Sequence, residues 1–193
     1  ERISSVLRIF TEGDCAALNG QTNVDLTNKY IVFDVDKRII RDNIFPAFLY
    51  VAFDCANNLA MANIDKKDAI FMDEVWQLMT TAASAAQVQA MVKLIRAYGA
   101  CTIMATQDIE DFLGKTSDFG ASVINNTEIK IFTKMTDKEV TKVGETIKFT
   151  PSDVKNLKGL YHQGMIFSGG DKVIVNLTAT SKEEKVFNTD VTK

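Results

Sequence analysis

Residues 69–74 read Ala69-Ile70-Phe71-Met72-Asp73-Glu74, and residues 101–107 read Cys101-Thr102-Ile103-Met104-Ala105-Thr106-Gln107. Each is a short apolar run that ends at polar side chains, the pattern of a strand buried in a sheet. Between them, Val88, Met91, Val92 and Ile95 stand at i, i+3, i+4 and i+7, which predicts a helix over 84–98. Gly99 is placed to end it. Strand, helix, strand in this order implies two parallel strands joined by a right-handed crossover. Open α/β sheets bind ligands outside the carboxyl ends of their strands. Asp73-Glu74 and Thr106-Gln107 both arrive at that edge.

Working outward, Phe45, Phe48, Leu49, Ala52, Phe53, Ala56 and Leu59 give residues 42–63 a broad apolar helix face, with Pro46 suited to the first turn. Upstream, Tyr30-Ile31-Val32-Phe33-Asp34-Val35 reads as another buried strand. Residues 13–29 read as loop, and Ile3, Val6, Leu7 and Phe10 mark a short helix over 2–11. Downstream, helical segments are expected at 108–115 and 118–125, then a fourth strand at Glu128-Ile129-Lys130-Ile131-Phe132-Thr133. Thr136 with Glu139, and Ser181 with Glu184, match the capping box; Thr150-Pro151 reads as N-cap then N1. Gly169-Gly170 between two apolar runs predicts a terminal antiparallel hairpin. The alternation of strands and helices through residue 133 predicts an α/β fold, a mostly parallel sheet flanked by helices.

The chain has 193 residues, 46% hydrophobic and 24% charged, enough for one domain with a real core. Its net charge of −3 argues against a surface that coats nucleic acid generically. Cys15, Cys55 and Cys101 have no metal-ligand spacing and suit a reducing compartment; Cys101 is expected to be a buried small hydrophobe. The single histidine, His162, excludes a site needing two imidazoles and reads as a surface or packing residue. No run approaches the ~20 apolar residues that cross a bilayer. The start at Glu1 is not a signal peptide, and the expectation is a chain that begins inside a larger protein.

An apolar strand ending in Asp-Glu is the Walker B pattern. A nucleoside triphosphate needs Mg2+, which takes hard oxygen ligands and keeps several waters. Asp73 suits the ion or a water bound to it, and Glu74 suits the attacking water. The competing reading is two solvated carboxylates favoured at a helix start. An amide at Gln107 can donate to a phosphate and accept from a water, or simply cap the next helix. Arg96, near a helix end, reads either as a cation favoured by the helix dipole or as a γ-phosphate contact, in its strongest form an arginine finger across a subunit boundary. Lys93 has the same two readings with a weaker functional claim. Phe71 and Trp76, flanking the acids, read as core or near-core. Gly114-Lys115-Thr116 mimics the tail of a phosphate-binding loop, but its first glycine would fall at Ile109, and no Gly-x-x-x-x-Gly-Lys-Ser/Thr occurs in the chain.

The run from Ile70 to Leu78, with Asp73-Glu74-Val75-Trp76 inside it, resembles the Walker B region of the conjugative-transfer (type IV secretion) ATPases, the VirB-four-like family. Lys93-Leu94-Ile95-Arg96-Ala97-Tyr98-Gly99-Ala100 and then Ile103-Met104-Ala105-Thr106-Gln107-Asp108 resemble that family's next motif, with Gln107 11 positions after Arg96. Asn19-Gly20-Gln21-Thr22-Asn23-Val24 and Val32-Phe33-Asp34-Val35 look like the segment before Walker B. Gly164-Met165-Ile166-Phe167, Glu183-Glu184 and Phe187-Asn188-Thr189 look like the family's C-terminal end. The resemblance implies a RecA-like P-loop NTPase fold, ATP and Mg2+ as cofactors, and self-association into a ring, commonly of six subunits. It also implies secretion-channel or conjugation components as partners, and a cytoplasmic location at the inner face of the membrane, attached peripherally. Residues 1–193 are then expected to be one C-terminal part of a motor domain whose Walker A loop lies upstream, and inactive alone.

Two rival functions keep the same residues. A DNA-translocating ATPase of the FtsK/HerA or coupling-protein type should carry a basic loop. Lys134, Lys138, Lys142 and Lys148 are interleaved with Asp137, Glu139 and Glu145, which makes that patch weak. Direct nucleic-acid binding stays open on these grounds. A non-catalytic interaction module with the motor's shape is the other rival.

Overall fold

The computed structural model describes residues 4, 8, 11–12, 16, 19–21, 25–34, 45–62, 67–107, 109–114 and 117–187. The key apolar residues of the expected first helix (Ile3, Val6, Leu7 and Phe10), Cys15, Thr22–Val24, Val35, Asp108, Lys115-Thr116 and Asn188-Thr189 lie outside the described residues.

Strands β1 (Ala69–Met72) and β2 (Cys101–Met104) pair in parallel, with Ala69 opposite Cys101 and Met72 opposite Met104. Period-two alternation sends Ile70, Met72 and Met104 into the main core, against Phe53, Val75, Met79, Val88 and Val123. Phe71 and Ile103 take the other face, where Phe71 is 73% exposed. The expectation of a near-core Phe71 is therefore wrong, and so is that of a buried Cys101, which is exposed. Both follow from parity: in a strand covered on one face, alternate apolar residues point outward.

The long helix α1 (Phe45–Ala62) buries Ala52, Phe53 and Ala60 and packs on β1, on the turn that follows β1 and on the turn that precedes β2. The crossover begins with a 3-10 turn over Val75–Met79, then α2 (Ala82–Leu94), and ends in a 3-10 turn over Ile95–Tyr98. Thr81 caps α2, its hydroxyl accepting from the Ser84 N–H, and Gly99 closes the end at φ 77°. Met79 and Val88 are fully buried beneath it.

After β2 come α3 (Ile109–Gly114) and α4 (Ser117–Asn126). They approach so closely that a Cβ at Gly120 would sit 2.4 Å from the Phe112 carbonyl oxygen. β3 (Ile129–Phe132) then departs from expectation. It does not extend the parallel sheet; it pairs antiparallel with β4 (Gln163–Ser168), which pairs antiparallel with β5 (Asp171–Asn176). Among the described residues, parallel pairing is confined to β1 and β2. The cause lies in side chains that spacing does not show. Phe132 meets Phe149 and Phe167 edge-on at 5.6 and 5.4 Å, and this cluster ties β3 to the hairpin. Phe132, Met135, Ile147 and Phe149 touch both hydrophobic clusters and so join the second sheet to the main core. The α/β class and the terminal hairpin stand, with Gly169 at φ 59° in its turn.

Two helices support the second sheet, α5 (Asp137–Ile147) and α6 (Pro151–Gly159). Both carry the expected caps: Thr136 with Glu139, and Thr150 with Pro151 behind it. At α7 (Ser181–Phe187) the box falls one residue earlier than expected. The Thr180 hydroxyl accepts from the Glu183 N–H, and Glu183 accepts from the Thr180 N–H at 2.8 Å. Residues 30–34 form no strand, and Val32 is 85% exposed. A short apolar run signals strand propensity, but a strand also needs a partner edge to satisfy its backbone.

Candidate functional site

The parallel ladder stops being regular where the acids begin. The Ala105 N–H donates to the Met72 carbonyl at 2.9 Å, as a parallel pair requires. The Ala105 carbonyl would next accept from residue 74, yet it accepts from Val75 at 3.0 Å. One extra residue is accommodated, and that residue is Glu74, in the left-handed region at φ 49°, ψ 46°. A non-glycine residue is seldom held there, and such conformations cluster at functional sites. The Glu74 N–H is tied back to Asp73 Oδ1 at 3.0 Å.

This kink turns the Glu74 side chain toward β2. Its Oε2 accepts from the Gln107 backbone N–H at 3.4 Å and from Trp76 Nε1 at 2.9 Å. The two strand ends therefore meet, though through the main chain of Gln107 rather than its amide. Asp73 and Gln107 are exposed and Glu74 is half-buried. Sequence spacing gives Trp76 only a packing place, and its hydrogen bond to Glu74 is a finding of the structure. An indole donor two residues after an acid at a strand end is the signal that was available.

Arg96 is not brought to this cluster. It lies in the 3-10 turn before β2, exposed, whereas Glu74 and Gln107 lie beyond the opposite ends of the strands. Seven residues of extended chain separate those edges by roughly 20 Å at about 3.3 Å per residue. Lys93, in the last turn of α2, is on the same far side. His162 is exposed at φ 51°, where its carbonyl accepts from Leu177 and its ring meets Tyr161, a turn residue before β4.

Elsewhere, Asp153 is a buried carboxylate, 4% exposed. Burial alone would push its carboxyl up. Hydrogen bonds from Lys172 and from the Thr150 N–H and hydroxyl outweigh burial and hold it below the ordinary carboxylate range. It closes the α6 cap and anchors β5, which is a structural task. A hollow of about 260 Å3 near the hairpin turn is lined by Glu128, Lys130, Phe167 and Lys172, remote in sequence from the strand-end acids. Among the described residues no group of three or more His, Cys, Asp or Glu side chains could cage a metal ion. Mg2+ fits such a surface, since it is commonly held by one or two carboxylates with waters and phosphate oxygens completing its shell. No described helix is long and apolar enough to cross a membrane.

A parallel strand pair delivering an Asp-Glu turn and a Thr-Gln end to one sheet edge, with helices packed over it, fits the fold of a P-loop domain. Residues 3–193 match the model of the TraG P-loop domain, and the chain belongs to that family. Among solved structures it is similar in fold to VirB4 of Thermoanaerobacter pseudethanolicus, with a TM-score of 0.85 and 23% identity over 95% of this chain. The chain spans about half of that structure, 51% of its length. No curated protein matches it.

Proposed function

We propose that this chain is the Walker B-bearing part of an ATP-hydrolysing motor that energises conjugative transfer or type IV secretion. The observation that carries the reading is the convergence of the Glu74 carboxylate with the Gln107 backbone at the carboxyl ends of two adjacent parallel strands. Bound there, Mg2+ would neutralise charge on the triphosphate. Asp73, exposed at the strand end, would hold the ion through a water. Glu74 orients the attacking water and accepts its proton, and the Gln107 amide, free to face solvent, contacts that water or the γ-phosphate. The phosphate cradle is supplied by a segment outside these residues, since the chain contains no Gly-x-x-x-x-Gly-Lys-Ser/Thr.

Arg96, on the far edge, acts on the nucleotide of a neighbouring subunit, which requires self-association into a ring. The ring works at the cytoplasmic face of the membrane, held there by secretion-channel partners. A DNA-pumping role gains no support from the basic stretch over residues 134–148, where Asp137, Glu139 and Glu145 are interleaved with the four lysines. The test is Glu74→Gln in the hydrolysing protein that contains this chain. The expected result is a loss of hydrolysis of 100-fold or more with ATP binding retained, on the scale of removing a catalytic base; unchanged hydrolysis refutes the assignment.

A further inference from the structure

An exposed glutamate ordinarily samples many rotamers, and a general base must be aimed before it is useful. Glu74 is aimed by three contacts. Its backbone is fixed by Asp73, and its Oε2 receives the Gln107 N–H and the Trp76 indole N–H. The indole contact is the shorter of the two on Oε2, 2.9 Å against 3.4 Å. Trp76 can hold its own position because its ring packs against the main core from the first residues of the 3-10 turn. An indole nitrogen donates and cannot accept. It therefore engages one carboxylate oxygen as a fixed donor and leaves Oε1 to accept from a water.

We propose that Trp76 is a positioning residue for hydrolysis: it clamps Oε2 of Glu74 so that Oε1 faces the attacking water. This rests on the assignment of Glu74 made above. The clamp would act on the chemical step and not on nucleotide affinity, because the donor of Trp76 is spent on the base.

Trp76→Phe removes the donor and keeps most of the packing area. In the hydrolysing protein the expected result is a roughly ten-fold fall in kcat with KM for ATP within two-fold, consistent with loss of a single orienting contact. Combined with Glu74→Gln, it should lower the residual rate no further, because a clamp has nothing left to aim. Wild-type kcat in Trp76→Phe, or a fall additive with that of Glu74→Gln, overturns the clamp and leaves Glu74 as the base. Full activity in Glu74→Gln overturns the assignment beneath both. Trp76 is the only tryptophan in the chain, so the contact is also readable without altering it. Glu74→Ala should change the tryptophan emission maximum and lifetime, and Glu145→Ala on the surface should not. Emission unchanged in Glu74→Ala overturns the contact itself.

Discussion

Glu74 occupies a backbone conformation that glycine adopts freely and other residues resist, which gives a stability prediction independent of any activity. Comparing Glu74→Gly with Glu74→Ala isolates the backbone, since both variants lose the carboxylate and its contacts to Trp76 and Gln107. They differ by one Cβ. At φ 49°, ψ 46° that Cβ crowds the following carbonyl, at a cost of about 1–2 kcal/mol. Glycine loses some of the advantage through the greater freedom of its unfolded chain, about 0.4–1 kcal/mol. The balance leaves Glu74→Gly more stable than Glu74→Ala by about 1 kcal/mol. For a chain of this size that is a difference of roughly 2–4 °C in melting temperature. Urea or thermal unfolding of the two variants reads it directly. An alanine variant as stable as the glycine variant, or more so, refutes the kinked strand end from which the Glu74 geometry was argued.

Removing the buried carboxylate in Asp153→Ala should destabilise by about 2–3 kcal/mol, because it strips a helix cap and leaves Lys172 half-buried without its partner; chemical denaturation measures this. The folded Asp153 carboxyl lies below its unfolded value of 3.8, so its contribution is present above that pH and is lost as pH falls below it. The melting temperature should drop as pH falls below 3.8, less steeply in Asp153→Asn than in the wild type. Gly120→Ala should be more damaging than an ordinary helix substitution, by 2 kcal/mol or more, because its Cβ meets a backbone carbonyl that cannot move aside; circular dichroism melts test this.

What could be read from the sequence was whatever local spacing controls. The two strand ends, the crossover helix with Gly99 behind it, the caps at Thr136 and Thr150 and the Gly169-Gly170 turn all depend on residues a few positions apart, and each appears where expected. What escaped depends on partners far along the chain. β3 reads as a further parallel strand because helices precede it, but Phe132 finds Phe149, between α5 and α6, and Phe167 in the second sheet. Residues 30–34 have strand-like composition and no ladder. Thr180 and Ser181 are both capping residues, and the choice between them was settled by geometry finer than a motif. At the site, Asp73, Glu74 and Gln107 were legible because strand order brings them to one edge. The contact between Trp76 and Glu74 was not, because only the left-handed turn at Glu74 swings the carboxylate back toward the indole. Arg96 was legible as a cation near a helix end; its separation from the acids depends on which end of β2 it precedes.

The account stands most directly on how hydrolysis and binding divide when Glu74 becomes glutamine. In the hydrolysing protein, turnover of MgATP and equilibrium binding of a labelled ATP analogue should be measured side by side for wild type and Glu74→Gln. The expected result is turnover down 100-fold or more with the dissociation constant within about three-fold of wild type. Turnover at the wild-type rate, or affinity lost in step with activity, would contradict a base aimed at water from the end of β1.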